Sequence, residues 1–308
     1  MAVASVTVRA TAARRRPKTR SAVRAAAAST NNSTLLVVGA GVLGRRAAAA
    51  WQVAHPGCRI VAQTKTEARH GELAKLGLEP RTETAAIGSG EKFAYVMVCA
   101  PPSGSEDYPA MVAAAAAHWD GTGGLLFTSS SAIYAEDAGG TVTEHSALVP
   151  RGESPRVDRL LSAEEAALGP GGCVLRLAGL YTATRGAHSY FLRTSPLKSD
   201  PLGLVNQIHY NDAATLAVAA LTAGARRQVY LGADDFPLSR EDLAHAALNS
   251  GRFPDGKPPV FVFEASNPSQ PTGKVLDNTW TRDTLGWMPR WESFGAFMAA
   301  YGVDGDIE

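Results

Sequence analysis

Three glycines at a fixed spacing are the first residues of the sequence whose pattern indicates chemistry. Gly39, Gly41 and Gly44 follow the apolar run 34–38 and open an alanine-rich stretch. At this spacing the first glycine permits a sharp turn, the second admits a pyrophosphate close to the backbone, and the third lets a helix pack closely on a strand. The unpaired amides at the start of that helix add partial positive charge. The pattern predicts a dinucleotide-binding turn formed by Gly39, Gly41, Val42, Leu43 and Gly44.

The residues after the second apolar run, 59–63, select between two dinucleotides. An acidic residue at this point bonds the ribose 2′-hydroxyl of NAD, whereas basic residues accept the 2′-phosphate of NADP. The chain has Thr64 and Lys65 here, with Arg69 nearby and no carboxylate before Glu67. We therefore expect NADP(H) rather than NAD(H). The alternative is that Lys65 and Arg69 are ordinary solvated charges.

Three further side chains are candidates for proton chemistry. Ser130 lies four residues before Tyr134, and His209 lies much later in the chain. A serine hydroxyl can polarise a carbonyl, while a phenol or an imidazole can exchange a proton. The alternatives are a turn serine, a tyrosine that packs or lines the site, and a structural histidine.

Strands and helices alternate along the chain and must position these residues. Apolar runs predict strands at 34–38, 59–63, 95–99, 124–128, 172–177 and 229–231, and helical patterns lie between them. Such alternation predicts a parallel sheet with helices on both faces. We expect an α/β, Rossmann-type doubly wound sheet with a small C-terminal α/β lobe. The dinucleotide-binding core is expected at 31–180, and the remaining core strands, interleaved with a substrate lobe, at 181–308.

The amino-terminal segment is basic and lacks acidic residues. Seven Lys and Arg residues occur from Arg9 to Arg24 among many Ala, Ser and Thr, and the first acidic residue is Glu67. This composition is typical of an organellar transit peptide. We expect residues 1–30 to be a disordered transit peptide that directs the chain to the chloroplast stroma, rather than to the mitochondrion. The alternative is a basic arm that binds nucleic acid.

Loss of this leader changes the net charge of the chain. Subtracting its seven basic residues from 30 leaves 23 Lys and Arg against 29 Asp and Glu, a net charge of 23 − 29 = −6. A mildly acidic body argues against broad binding to a phosphate backbone, so we expect no nucleic-acid partner. We also expect no membrane span, because no apolar run is long enough. Cys58, Cys99 and Cys173 lack paired ligand spacing, so we expect no metal.

Six motifs give the chain a family resemblance. They are the glycine turn and the segments 98–102, 129–134, 175–181, 205–212 and 285–289. In this order they resemble the extended short-chain dehydrogenase/reductase family, especially its atypical, NAD-dependent epimerase/dehydratase-like branch, from Leu35 to about Phe297. The resemblance implies that Ala100, Pro101 and Ser129 contact the cofactor. It also implies that Ser130 polarises the substrate oxygen.

The chain departs from that family in the helix expected after Tyr134. Active members carry Tyr-x-x-x-Lys there, and the tyrosine moves the proton with the help of the lysine. The segment 154–164 contains neither residue. Arg156 or Arg159 can supply a positive charge, but arginine stays protonated and replaces the phenol poorly. Tyr134, His209 or a bound water are left as proton donors.

Other side chains are expected near a substrate. Arg176 and Tyr181 follow a predicted strand at its carboxyl end, where open α/β sheets bind ligands. His209 and Asp212 match the part of the family that shapes the substrate cleft. A polar segment that could meet an anionic substrate contains Arg185, His188 and Arg193.

Two classes of function agree with these observations. The first is an NADP-dependent oxidoreductase or epimerase that acts on a small oxygenated plastid metabolite. The second is a non-catalytic nucleotide-binding sensor, assembly factor or RNA-associated scaffold in the chloroplast. Family members often dimerise through the helices after the fourth and fifth strands, and the second of these is altered at 154–167. We therefore expect a monomer or a weak homodimer.

Overall fold

The computed structural model describes residues 33–88, 90–263 and 272–300. Its strands, in chain order, are β1 (Leu35–Val38), β2 (Ile60–Thr64), β3 (Glu79–Thr82), β4 (Tyr95–Val98), β5 (Leu125–Ser130), β6 (Ala138–Val142), β7 (Cys173–Leu177), β8 (Gly179–Tyr181), β9 (Leu204–Val205), β10 (Gln207–His209), β11 (Val229–Gly232), β12 (Leu238–Ser239) and β13 (Gly273–Leu276). Its helices are α1 (Val42–Ala54), α2 (His70–Lys75), α3 (Glu83–Ala86), α4 (Tyr108–Ala116), α5 (Pro155–Leu168), α6 (Ala187–Arg193), α7 (Tyr210–Thr222), α8 (Arg240–Asn249), α9 (Thr279–Leu285) and α10 (Phe294–Ala300).

A parallel sheet of seven strands forms the centre of the described chain, in the order β11-β7-β5-β4-β1-β2-β3. Successive residues of β1 point to opposite faces, as the pleat requires. Leu35 and Val37 pack in one core with α1 and α7, whereas Leu36 and Val38 pack in a second core with α4 and α5. Helices therefore cover both faces, and the predicted Rossmann-type α/β fold is confirmed.

The edge strand β3 is absent from the sequence-based prediction. Its sequence, Glu-Pro-Arg-Thr, has no apolar alternation, and it pairs only with β2. A proline is tolerated at such an edge, where its missing N–H faces no partner. Because an edge strand needs little burial, its polar sequence gave no strand signal.

A smaller third core lies beyond the carboxyl ends of the sheet strands. Tyr181, Phe191, Leu243 and Phe297 pack there with residues of α6, α8 and α10. Two-stranded pairings, β8 with β10, β9 with β12 and β6 with β13, connect this region to the central sheet. These paired strands are only two to five residues long.

A buried ion pair links α5 to the central sheet. The guanidinium of Arg176 in β7 donates to both carboxylate oxygens of Glu164, at 3.2 and 2.8 Å, and both side chains are less than a tenth exposed. Arg176 also donates to the Tyr134 hydroxyl and to the Glu144 carbonyl. Arg176 therefore does not reach the ligand edge, contrary to expectation, because its charge is neutralised inside the protein.

The predicted transit peptide at residues 1–30 lies outside the described residues. Among the helices that the structure does describe, none combines the length and the apolar character needed to cross a bilayer.

A buried carboxyl makes the stability of the fold depend on pH. Asp234, 5% exposed, follows β11, and its Oδ2 has no hydrogen-bond partner among the described residues. Burial, with the neighbouring charge of Asp235, raises the pKa of Asp234 to about 8 from an ordinary 3.8. The folded chain therefore holds a proton between these two pH values that the unfolded chain releases.

We expect the wild-type free energy of unfolding to fall, relative to Asp234→Asn, as pH rises from 5 to 8. The slope is at most about 1.4 kcal/mol per pH unit, because one proton is linked to folding. Urea unfolding of both proteins across this range measures the difference. Parallel pH profiles for the two proteins would show that Asp234 is ionised in the folded state.

Candidate cofactor-binding cleft

The glycine turn between β1 and α1 contains two positions at which the backbone lies very close to neighbouring atoms. Gly39 has φ +90°, and a Cβ built on it would lie 2.4 Å from the Ala100 amide nitrogen. A Cβ on Gly44 would lie 2.4 Å from the Gly39 carbonyl oxygen. Both positions therefore require glycine, the first for its left-handed backbone as well as for space. A Cβ on Gly41, in contrast, would have no atom within 4 Å.

The first turn of α1 leaves its amides available to a ligand. No side chain caps the helix, and its first turn contains no acidic residue. The Arg45 amide makes the first bond of the helix, to the Gly41 carbonyl at 3.0 Å. The amides before it carry the partial positive charge of the helix start. Val42, Leu43 and Gly44 all line a cleft in front of this turn.

This main cleft has a volume of about 880 Å³ and lies where β1, β4, β5 and β7 end. A second cavity of about 250 Å³ adjoins it beside the end of β2. The predicted cofactor residues lining the main cleft are Gly39, Gly41, Val42, Leu43, Gly44, Ala100, Pro101 and Ser129. Those lining the second cavity are Gly39, Gly41, Thr64, Lys65, Arg69, Ala100 and Pro101. The fold thus brings all of the predicted cofactor residues to two adjoining spaces.

The lining of this site fits a dinucleotide. The space above Gly41 is open where a pyrophosphate needs backbone access, and an uncapped helix start adjoins it. The Ser129 hydroxyl is buried with no partner among the described residues, so it is free to bond a ligand. The Cys99 thiol also lines the cleft, but burial raises its pKa to about 12. Cys99 therefore stays in its thiol form.

Of the three catalytic candidates, only Ser130 lines the cleft. Its Oγ accepts the Ala132 amide at 3.2 Å, which leaves its own O–H to donate. Tyr134 is 2% exposed, and its hydroxyl lies between Arg176 and the Glu144 carbonyl. Burial raises the pKa of Tyr134, against the lowering effect of Arg176. A role for Tyr134 as proton donor is thus contradicted, because its phenol is turned into the core.

His209 is likewise placed inside the protein. It is 1% exposed, its ring packs 4.7 Å from that of Phe297, and its Nδ1 accepts the Asn211 amide as the N-cap of α7. The expected cleft residue Tyr181 is fully buried beside it, and His188 is fully buried too. These side chains pack in the interior of the lobe, because their rings are buried in and beside the third core.

The structure brings to the cleft a phenol that the sequence analysis missed. Tyr210, the first residue of α7, lines the cleft, and the Arg185 Nε donates to its oxygen at 3.2 Å. The only signal for Tyr210 in the sequence was its position directly after His209. Side chains of adjacent residues diverge where β10 passes into α7, so a buried His209 implies that Tyr210 points another way.

Among the described residues, arginines and no carboxylates complete the lining. Arg156, Arg185 and Arg193 line the cleft, whereas Arg159 does not. Of the two arginines that the sequence offered on α5, the structure thus selects Arg156. Among the described residues, no group of His, Cys, Asp or Glu side chains is arranged to hold a metal ion.

Comparison with known sequences leaves the family open. No model of a protein family matches the chain. No curated protein gives a significant match either.

Solved structures, in contrast, match over most of the chain. A conserved protein of unknown function from Silicibacter pomeroyi is 24% identical with a TM-score of 0.69, covering 88% of this chain and 98% of its own. Human epimerase family protein SDR39U1 with NADPH is 14% identical, TM-score 0.65, covering 86% and 98%. MoeE5 with UDP-glucuronic acid and NAD is 16% identical, TM-score 0.65, covering 87% and 97%. At these identities the likeness establishes the fold: this chain has the Rossmann-type fold of NAD(P)-binding epimerase, dehydratase and short-chain dehydrogenase proteins.

Proposed function

We propose that the chain is an NADP(H)-dependent oxidoreductase or epimerase that acts on a small oxygenated metabolite in the chloroplast stroma. The observation that carries this proposal is the open space over Gly41, at an uncapped helix start and beside the partnerless Ser129 hydroxyl. The open space admits a pyrophosphate, and a bound dinucleotide supplies partners for the helix-start amides and the Ser129 hydroxyl. Solved neighbours that carry NADPH or NAD support the same assignment.

The preference for NADP(H) rests on the second cavity. Lys65 and Arg69 both line it, and the Lys65 Nζ reaches across to the Gly104 carbonyl at 2.9 Å. Two cations at the end of β2 suit a 2′-phosphate. Glu83 lines the same cavity and is the group that would favour a ribose hydroxyl instead. The charge balance of two cations against one carboxylate favours the phosphate.

The residues of the main cleft supply the proton chemistry. A bound nicotinamide provides the hydride donor or acceptor of the reaction. Ser130 donates its O–H to the substrate carbonyl and polarises it. Tyr210 donates or accepts the proton, and the hydrogen bond from the Arg185 guanidinium positions its hydroxyl. The pair Tyr210 and Arg185 thus takes over the work of the missing Tyr-x-x-x-Lys pair.

Replacing Lys65 and Arg69 together by alanine is expected to weaken NADPH by about tenfold or more. Each charge-assisted bond to the 2′-phosphate contributes on the order of 1.5 kcal/mol, and NADH cannot form these bonds. The dissociation constants of NADPH and NADH are measured by calorimetry for both proteins. The control Lys75→Ala lies on α2 outside the cavity. Equal losses for NADPH and NADH would remove Lys65 and Arg69 from the phosphate site.

Ser130→Ala and Tyr210→Phe are expected to keep NADPH affinity and lower turnover by about 100-fold or more, since each removes a polarising or proton-transferring group. A screen of aldehydes, ketones and nucleotide sugars for NADPH consumption provides the substrate. Tyr190→Phe is the matched control, because Tyr190 is 54% exposed and lies outside the cleft lining. Full turnover by Tyr210→Phe would contradict its role. NADPH binding without turnover on any substrate would favour the non-catalytic sensor or scaffold.

A further inference from the structure

Three arginines line the main cleft. Arg156 comes from the first turn of α5, Arg193 ends α6, and Arg185 lies in the segment between β8 and α6. The lining of this cleft includes no Asp and no Glu. Like charges that share one cleft without a carboxylate favour the binding of an anion there.

Six arginines elsewhere in the described chain are paired with carboxylates. Examples of such pairs are Arg45 with Glu72, Arg59 with Glu79, Arg81 with Glu91, Arg151 with Glu165, Arg176 with Glu164 and Arg282 with Asp235. None of the three cleft arginines forms an ion pair with any residue that the structure describes. The cleft therefore concentrates unneutralised positive charge in a protein that is otherwise balanced or acidic.

Local contacts hold two of these guanidiniums without neutralising them. The Arg185 Nε donates to the Tyr210 oxygen at 3.2 Å, and the Arg193 Nε donates to the Ser189 carbonyl at 2.8 Å. Gly186 lies between them with φ +145°, and a Cβ there would lie 2.9 Å from the Tyr181 Cβ. This tight turn fixes where Arg185 leaves the backbone. The terminal nitrogens of both guanidiniums remain to bind a planar or tetrahedral anion.

From this geometry we infer that the cleft binds a substrate bearing at least two negative charges, as carboxylate or phosphate groups, through Arg156, Arg185 and Arg193. The inference rests on the proposed function, and it names the class of substrate. Arg156 lines the cleft from α5, the helix in which the family that the sequence resembles carries its Tyr-x-x-x-Lys pair. This helix lacks that pair and carries a cation instead. The cation favours the recognition of an anion in this part of the cleft.

The test is a calorimetric titration of the full chain, saturated with NADPH, with three probes. Inorganic pyrophosphate represents phosphate groups, citrate represents carboxylates, and glucose is the neutral control, all at matched ionic strength. We expect one or both anions to bind and glucose not to bind. Arg156→Gln and Arg193→Gln should each weaken the anion by about tenfold or more, and should leave NADPH within about twofold. Arg159→Gln, on the same helix but outside the lining, should change neither.

Three results would overturn the inference: no anion binding by the wild-type chain, equal anion affinity in Arg156→Gln and Arg193→Gln, or parallel losses of anion and NADPH. The last would assign these arginines to the cofactor phosphates. The same titration on the chain without NADPH separates the two proposals. The chain could fail to bind NADPH and still bind the anion through Arg156 and Arg193. That result would contradict the proposed cofactor but support the anion site.

Discussion

The close contact between Gly39 and Ala100 is the constraint on which the site depends. With 2.4 Å between the amide of Ala100 and the position of a Cβ on Gly39, the ends of β1 and β4 can meet only if residue 39 has no side chain. Gly44 repeats this condition between α1 and the turn. Together they set the start of α1 at the carboxyl edge of the sheet, where its free amides face the cleft. The apolar cores on both faces then hold this edge rigid.

The second determinant of the site is the altered helix α5. Its Glu164 is committed to Arg176 in the interior, and Arg176 in turn holds Tyr134 away from the cleft. Removing either charge would leave its partner buried and unpaired, so the network strongly favours this arrangement. The outward part of α5 contributes Arg156 to the cleft lining. In the proposed function, Tyr210 at the start of α7 carries the proton chemistry and α5 contributes charge.

The sequence alone was sufficient to predict the features of the fold that local residue patterns determine. The apolar runs of β1, β4 and β7 predicted the sheet, because strands buried on both faces have continuous apolar sequences. The glycine spacing predicted the close backbone contacts of the turn that lines the cleft. Side-chain direction after a strand was not predictable in this way. A short turn at Ser131–Ile133 carries Tyr134 into the core although it lies only four residues after Ser130. His209 and Tyr210 are neighbours, yet only the second lines the cleft. The direction of each of these side chains depends on contacts with residues that are distant in sequence.

The most direct test of the account is a calorimetric titration of the wild-type chain and Gly41→Asp with NADPH. Gly41 has φ −74° and open space around a Cβ, so the substitution should leave the melting temperature unchanged while it places a carboxylate where the pyrophosphate binds. We predict a micromolar dissociation constant for the wild-type chain and a loss of about 100-fold or more in the variant. Failure of the wild-type chain to bind either NADPH or NADH, or equal binding by both proteins, would contradict the assignment of this turn to a nicotinamide dinucleotide.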